Sequence, residues 1–412
     1  MVNSIWRTVN LSQIGTFQKG SGINRSESNT GTIPAVRYGE LYTVHDNYVR
    51  RYTSHISREI ADKALRVRYG DILFACSGET KEGIAKCAAI IDNSEVYAGG
   101  DIIVLSPTIK VDPVFLGFIL NTQDVIQQRA QKAQGDAIVH ISTDAIKSIE
   151  IMLPEYSEQV KIATALSDID ALIANLEKLI DKKKAIKQGA MQELLAGKRR
   201  LPGFEGEWNT YRFGDIFVIL PNNAFTRAEM SDSGVVKNIH YGDILTKYHE
   251  YISAESNEIP YIASTVDLSR FSDKCFVKSG DIIIADTAED ETVGKALEVI
   301  MVSGLMLSGQ HTMLCRPQIP FAERFLGYYL NATCYHEQLI PYITGTKVSS
   351  ISKTSIAQTF LCVPGLQEQA DIADILTDMD SEIAKLEENL AKYRLVKQGM
   401  MSELLTGRIR LL

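Results

Sequence analysis

Two stretches of the chain carry apolar residues in alternating steps of four and three. They are Ile162, Leu166, Ile169, Ile173, Leu176 and Ile180, then Ile372, Leu376, Met379, Ile383, Leu386, Leu390 and Tyr393. A seam of that period is buried by another helix, so each stretch predicts a long helix and the two seams predict each other as partners. Pro154 and Pro364 stand before them, where proline is tolerated, and Gly197 and Gly407 follow, where a helix cap is expected. A helix from Glu158 to Ala196 would be about 58 Å long at 1.5 Å per residue. Elsewhere, short β-rich runs (GDILFA, DIIVLS, GDIIIA) alternate with Gly, Asn and Ser turns. Each half has one helix-like stretch, PVFLGFILNTQDVIQQRAQ or FAERFLGYYLNATCYHEQL. The globular parts are therefore expected to be α/β with twisted sheets.

The two seams belong to an internal repeat. The 44 residues from Glu158 align without gaps to those from Glu368, an offset of 210, with about half the positions identical. The same offset places Gly135 on Gly345, Ile141 on Ile351 and Pro154 on Pro364. With small gaps, RYGDILFACSGETKEGIAK faces KSGDIIIADTAEDETVGKA, and FLGFILNT faces FLGYYLNA. Trp6, Val9, Leu11 and Ile14 have the spacing of Trp208, Tyr211, Phe213 and Ile216. A period near 200 residues means duplicated domains, far beyond the 20 to 50 of solenoid repeats. Segments 1–157 and 203–367 are read as the globular parts, and 158–202 and 368–412 as the helical ones. If the helices pair antiparallel, two related halves close around an approximate twofold axis.

Composition narrows the class. At 412 residues and 45% hydrophobic, the chain is an ordinary folded protein with room for two or three domains. It shows no apolar run of membrane-spanning length and no signal-peptide layout at MVNSIWRTVN, so a cytoplasmic location is expected. The six cysteines are scattered without CxxC spacing, which indicates neither a zinc site nor disulfides. Net charge is −8, but the first globular part is nearly balanced, and Arg50 to Arg68 forms a basic stretch interleaved with Tyr52.

Catalytic signatures are absent: no GxxxxGK[ST], GxGxxG after a strand, HExxH, GxSxG or Asn-Pro-Pro-aromatic motif occurs. Asp71, Glu79 and Lys81 have the composition of a metal-dependent nuclease triad, but the aligned copy has Asp281, Glu289 and Glu291, without the lysine. Two variable domains on a rod suit a bipartite ligand. Duplex DNA has that geometry, its half-sites facing one side about 34 Å apart.

The opening Trp-x-x-Val-x-Leu-x-x-Ile, the Pro-to-Glu-Gln approach to each helix and the duplicated KQG-x-M-x-ELL-x-G-x-x-RL ending resemble the specificity subunit of type I restriction-modification systems over essentially the whole chain. The resemblance implies two α/β target-recognition domains, joined by two long helices that pair as an antiparallel coiled coil with pseudo-twofold symmetry. It implies a noncatalytic subunit that reads an interrupted double-stranded DNA site, the helices setting the gap. Two adenine-methyltransferase subunits and the restriction/translocase subunits would dock on it. This chain would hold no cofactor and no metal; S-adenosylmethionine, ATP and Mg are expected on the partners. Alternatives are a stand-alone metal-dependent nuclease or a scaffold that binds no nucleic acid.

Readout needs side chains that offer donors and acceptors to base edges and phosphates. In the first domain the candidates are Lys19, Arg25, Arg37, Tyr38, Arg50, Arg51, Ser77, Lys81 and His140. In the second they are Asn222, Asn223, Arg227, His240, Lys247, Thr287, Lys347, Ser349 and Ser350. Met191, Leu194, Leu195, Met401, Leu404 and Leu405 extend the apolar surface past the seam and are expected to dock partner subunits.

Overall fold

The computed structural model describes residues 6–290, 292–345 and 347–411. Its long helices run over Tyr156–Leu194 and Leu366–Leu404, 39 residues each. The chain divides into two compact units, Met1–Glu177 with Glu388–Leu412, and Lys178–Glu387. Both helices are thereby cut in mid-length, so each unit holds a globular part, the start of one helix and the end of the other.

The seam residues are buried or half-buried, as their period requires. Ile162, Leu166 and Leu376 are fully buried, with Ile180, Ile372 and Ile383 nearly so. Ion pairs flank the seam within each unit and run antiparallel. In the first unit Asp170 meets Lys397 at 2.6 Å and Glu177 meets Arg394 at 2.7 Å. In the second, Lys183 meets Glu382, Lys184 meets Glu387 and Lys187 meets Asp380, each at 2.7 Å.

The Glu-Gln dipeptide before each seam has two separate tasks. Glu158 binds the Arg410 guanidinium bidentately at 2.6 and 2.7 Å and accepts from Trp6 Nε1 at 3.2 Å. Glu368 holds Arg200 in the same fork at 2.7 Å twice, and Arg200 lies over the Trp208 ring. A planar guanidinium matched to a carboxylate fixes direction as well as distance. Gln159 accepts from Asp112 N at 2.9 Å and donates to Pro154 O, while Gln369 accepts from Ala322 N and donates to Pro364 O. Each helix is stitched to its own globular part by the glutamine and to the end of the other helix by the glutamate.

The first globular part has a four-stranded antiparallel sheet ordered Gly15–Lys19, Ile102–Pro107, Ile72–Ala75, Cys87–Ala89. A second four-stranded sheet contains one parallel pairing, Ile33–Val36 with Val96–Ala98. The second part repeats the plan with five strands ordered Phe217–Leu220, Thr312–Pro317, Ile282–Ala285, Ala296–Ile300, Tyr251–Ser253, plus a four-stranded sheet. Helix Pro113–Leu120 covers the first sheet and Phe325–Leu330 the second. The asparagine closing each FLG-containing helix substitutes for a neighbouring strand. Asn121 accepts from Cys87 N and donates to Cys87 O, and Asn331 does the same to Ala296.

The units differ in how those helices are capped. Asp112 caps the first, accepting from Phe115 N at 2.8 Å. In the second, Glu298, on the neighbouring strand, accepts from Arg324 N at 2.7 Å and Gly327 N at 2.8 Å. The residue in its register in the first unit is Ala89. Burial pushes the Glu298 carboxyl up to about 7. A carboxyl raised above its unfolded value binds more protons when folded, so stability falls as pH rises from about 4.5 to about 7. Unfolding midpoints measured across that window are expected to decline for the parent chain and to flatten in Glu298→Gln.

Candidate nucleic-acid interface

Each unit carries a small two-stranded ladder that gathers several expected readout residues. In the first, Ser77–Gly78 pairs with Val139–His140. Gln134 and His140 exchange backbone hydrogen bonds of 2.9 and 2.8 Å, closing a tight loop. Gly135 turns it at φ 99°, and a Cβ there would lie 2.2 Å from Ile138 O, so glycine is required. In the second, Thr287–Ala288 pairs with Ser349–Ser350. Thr344 and Ser350 close the loop at 3.0 and 2.8 Å, with Gly345 at φ 116°.

The same backbone device presents different chemistry in the two units. Ser77 Oγ and His140 Nδ1 lie 2.9 Å apart in the first. In the second, Thr287 donates to Asp286 Oδ1 at 2.8 Å, with His311 Nδ1 3.5 Å away. Tyr42 donates to Ser77 O at 3.0 Å, and burial pushes its phenol up to about 12, which keeps it a neutral donor. Each loop also exposes one apolar side chain, Ile138 at 62% and Val348 at 50%. A cavity of about 550 Å³ opens beside the first ladder between Tyr38, Tyr42, Ser77, Glu79 and Ile138. Lys81 stands on its loop, 4.0 Å from Asp136. The second unit has a cavity of about 690 Å³ lined by Asn222, Asn223, Arg270, Asp286, Gln310 and His311.

The structure therefore brings Tyr38, Ser77, Lys81 and His140 together, and Thr287 with Ser349 and Ser350; Lys347 is exposed on the loop above the latter. Lys19, Arg25 and Arg51 are exposed, outside these ladders. Several other candidates make contacts within their own unit. Arg50 binds Asp170 of the central helix at 2.6 Å. Arg37 bonds Ser54 and meets Glu40, Arg227 meets Asp243 at 2.8 Å, and Lys247 donates to Glu258 O. His240 caps helix Tyr241–Thr246 by accepting from Gly242 N, its pKa lowered by burial and by Arg227. Asn223 is buried, paired with Asn238, and Asn222 donates to Gly309 O and Thr312 O.

The expected docking residues lie in or against the cores of the units. Met191, Leu194 and Leu195 are buried in the core of the second unit, and Leu404 and Leu405 in that of the first, with Met401 packed against them. Their apolar surface is largely covered inside the unit.

Sequence reading missed Ile138, Val348, Tyr42 and His311. The signal for the first two was available, since both follow the aligned glycines by three residues. The nuclease triad is not assembled: Asp71 and Glu79 line different cavities, and Glu291 lies outside the described residues. Among the described residues, no group of three or more His, Cys, Asp or Glu could hold a metal ion. Nor is any helix of the described residues long and apolar enough to cross a membrane.

Comparison with known proteins gives the geometry a context. The family model described as the type I restriction modification DNA specificity domain matches twice, at residues 3–188 and 205–392. The type I restriction enzyme MjaVIII specificity subunit of Methanocaldococcus jannaschii is 22% identical over 377 residues, covering 85% of this chain and 82% of that protein. The crystal structure of a type I restriction-modification system S subunit from M. genitalium superposes with a TM-score of 0.58 at 14% identity, covering 98% of this chain and 97% of that one. A chain from a structure of the type I R-M system, solved to explain complex assembly and conformational transition, gives 0.55 at 16% identity, covering 98% of each.

Proposed function

The chain belongs to the type I restriction-modification DNA specificity family and is a noncatalytic DNA sequence-recognition subunit; from that premise we propose that each unit reads one half of an interrupted duplex site through its ladder and loop. The observation that carries this reading is the repeated glycine-turned loop beside a short ladder, with unlike side chains on a like backbone. A shared scaffold with divergent donors is what two different half-sites demand. Bidentate or paired contacts to a base edge discriminate by about 1–3 kcal/mol each. Ser77→Ala with His140→Ala is expected to relax or abolish one half of the methylated motif and leave the other half unchanged. Mapping methylated adenines in cellular DNA, with the partner methyltransferase present, checks this. Relaxation in both halves, or in neither, removes the assignment, and no gene-dependent motif at all removes the reading.

The partners in this proposal are two adenine-methyltransferase subunits and restriction/translocase subunits, which carry S-adenosylmethionine, ATP and Mg. Their docking surface is placed on the long helices away from the seam, where Ile186, Leu395 and Val396 are exposed. Gly189 and Gly399 lie on the same turns with open space where a Cβ would be. A glycine in a helix interior costs about 1 kcal/mol relative to alanine. Gly189→Ala with Gly399→Ala is therefore expected to raise the unfolding midpoint of the isolated chain while weakening methyltransferase binding, as read by titration calorimetry.

A further inference from the structure

The internal repeat exposes a vacancy. In the second unit, Asp281 is 1% exposed and accepts from Lys278 N at 2.7 Å. Arg316 fills the space in front of it, donating from Nε at 2.8 Å and Nη2 at 2.6 Å, with a further bond from Nη2 to Phe276 O at 2.8 Å. The first unit repeats the buried carboxylate and its backbone donor, without the arginine. Asp71 is 7% exposed and accepts from Arg68 N at 2.8 Å, and burial pushes its carboxyl above the ordinary range. The strand Ile102–Pro107 corresponds to Thr312–Pro317 at the offset of 210, which sets Ser106 where Arg316 stands. In place of the guanidinium stand the Ser106 side chain, which hydrogen-bonds the Asp71 carboxyl, and beyond it an open cavity of about 520 Å³, bounded by Gln18, Asp71 and Ser106 and rimmed by Arg66, Arg68 and Lys110.

We propose that this cavity is a binding site for an external guanidinium, seated on Asp71 as Arg316 is seated on Asp281. The acceptors in the second unit are the carboxylate and a backbone carbonyl, Phe276 O. At the same offset, the first unit supplies Asp71 and the carbonyl of Arg66. A buried carboxylate with open space before it favours a planar, bidentate donor over a compact ammonium. The rim adds a second requirement. Its three cations repel a bare cation but favour one that carries a carboxylate a few bonds away, as the amino acid arginine does, or as an arginine residue beside an acidic one does. Those two sources share the chemistry and differ only in what delivers it.

The full chain titrated with N-acetyl-L-arginine is expected to show one saturable site by calorimetry. Ser106→Arg supplies the missing group from within and should weaken binding about tenfold or more, the effect of losing a charged hydrogen-bonded pair. Arg316→Ser opens the equivalent space in the second unit and should raise the stoichiometry to two. Agmatine, which lacks the carboxylate, should bind more weakly than N-acetyl-L-arginine. Absence of saturable binding, or binding unchanged in a Ser106→Arg chain whose unfolding midpoint shows that it folds, overturns the proposal. Assembly with the partner subunits separates the sources. Ser106→Arg weakens assembly if a partner arginine occupies the site, and leaves it intact while N-acetyl-L-arginine binding is lost if the free amino acid does.

Discussion

Gly117→Ala is expected to destabilise the first unit by about 3 kcal/mol or more, at the top of the usual range for overpacking. A Cβ at this position would lie 1.9 Å from Asn47 O, a backbone atom that no rotamer change can move aside. Asn47 is held in turn, its carbonyl accepting from Ala89 N at 3.0 Å, so relief would require shifting a strand of the main sheet. Helix Pro113–Leu120 has a buried face of Phe115, Leu116, Phe118 and Leu120 and therefore cannot lift away without opening the core. Gly327→Ala puts the matching clash, 2.3 Å from Glu250 O, into the second unit. Gly39→Ala, with nothing within 4 Å, should change little. Denaturant unfolding followed by circular dichroism checks all three. Units that unfold separately should lose their own transition first, whereas equal small shifts for Gly117→Ala and Gly39→Ala would show that close approach is unimportant.

That glycine illustrates how far the sequence reaches. The FLG repeat was visible as a repeat, but its reason was not, because the carbonyl that excludes a side chain lies 70 residues upstream. What is encoded by periodicity within one element was legible: the seam, its antiparallel partner, the proline before each helix and the glycine after it. The Glu-Gln dipeptide was legible as a motif, yet its division of labour depends on Arg410, Arg200, Asp112 and Ala322, which no local spacing brings near. Readout residues were the least legible. A surface arginine and an arginine docked on the central helix have the same composition, and only Asp170, 120 residues beyond Arg50, decides between them. Apolar positions pose the opposite difficulty. Leu194 and Leu404 extend past the seam, but each unit's globular core extends with them and covers their side chains.

Inserting seven residues between Glu177 and Lys178 together with seven between Glu387 and Glu388 is expected to lengthen the gap in the methylated site by about three base pairs, with both half-sites unchanged. The arithmetic is 10.5 Å of added helix at 1.5 Å per residue against about 3.4 Å per base pair. These two points divide the chain's compact units, so Asp170 with Lys397 and Glu177 with Arg394 stay together in one, and Lys183 with Glu382 and Lys187 with Asp380 in the other. A whole heptad keeps the seam in phase, so the inserted turns can pair with each other. Four residues would instead rotate the seam out of register and should be far less tolerated. Three base pairs also turn the duplex by roughly 100°, at about 10.5 per helical turn, which DNA twist must absorb, so methylation should weaken as the gap grows. A heptad insertion that alters either half-site would mean that the helices take part in reading bases. One that leaves the gap unchanged would mean that the DNA is gripped by partner subunits whose spacing the helices do not set.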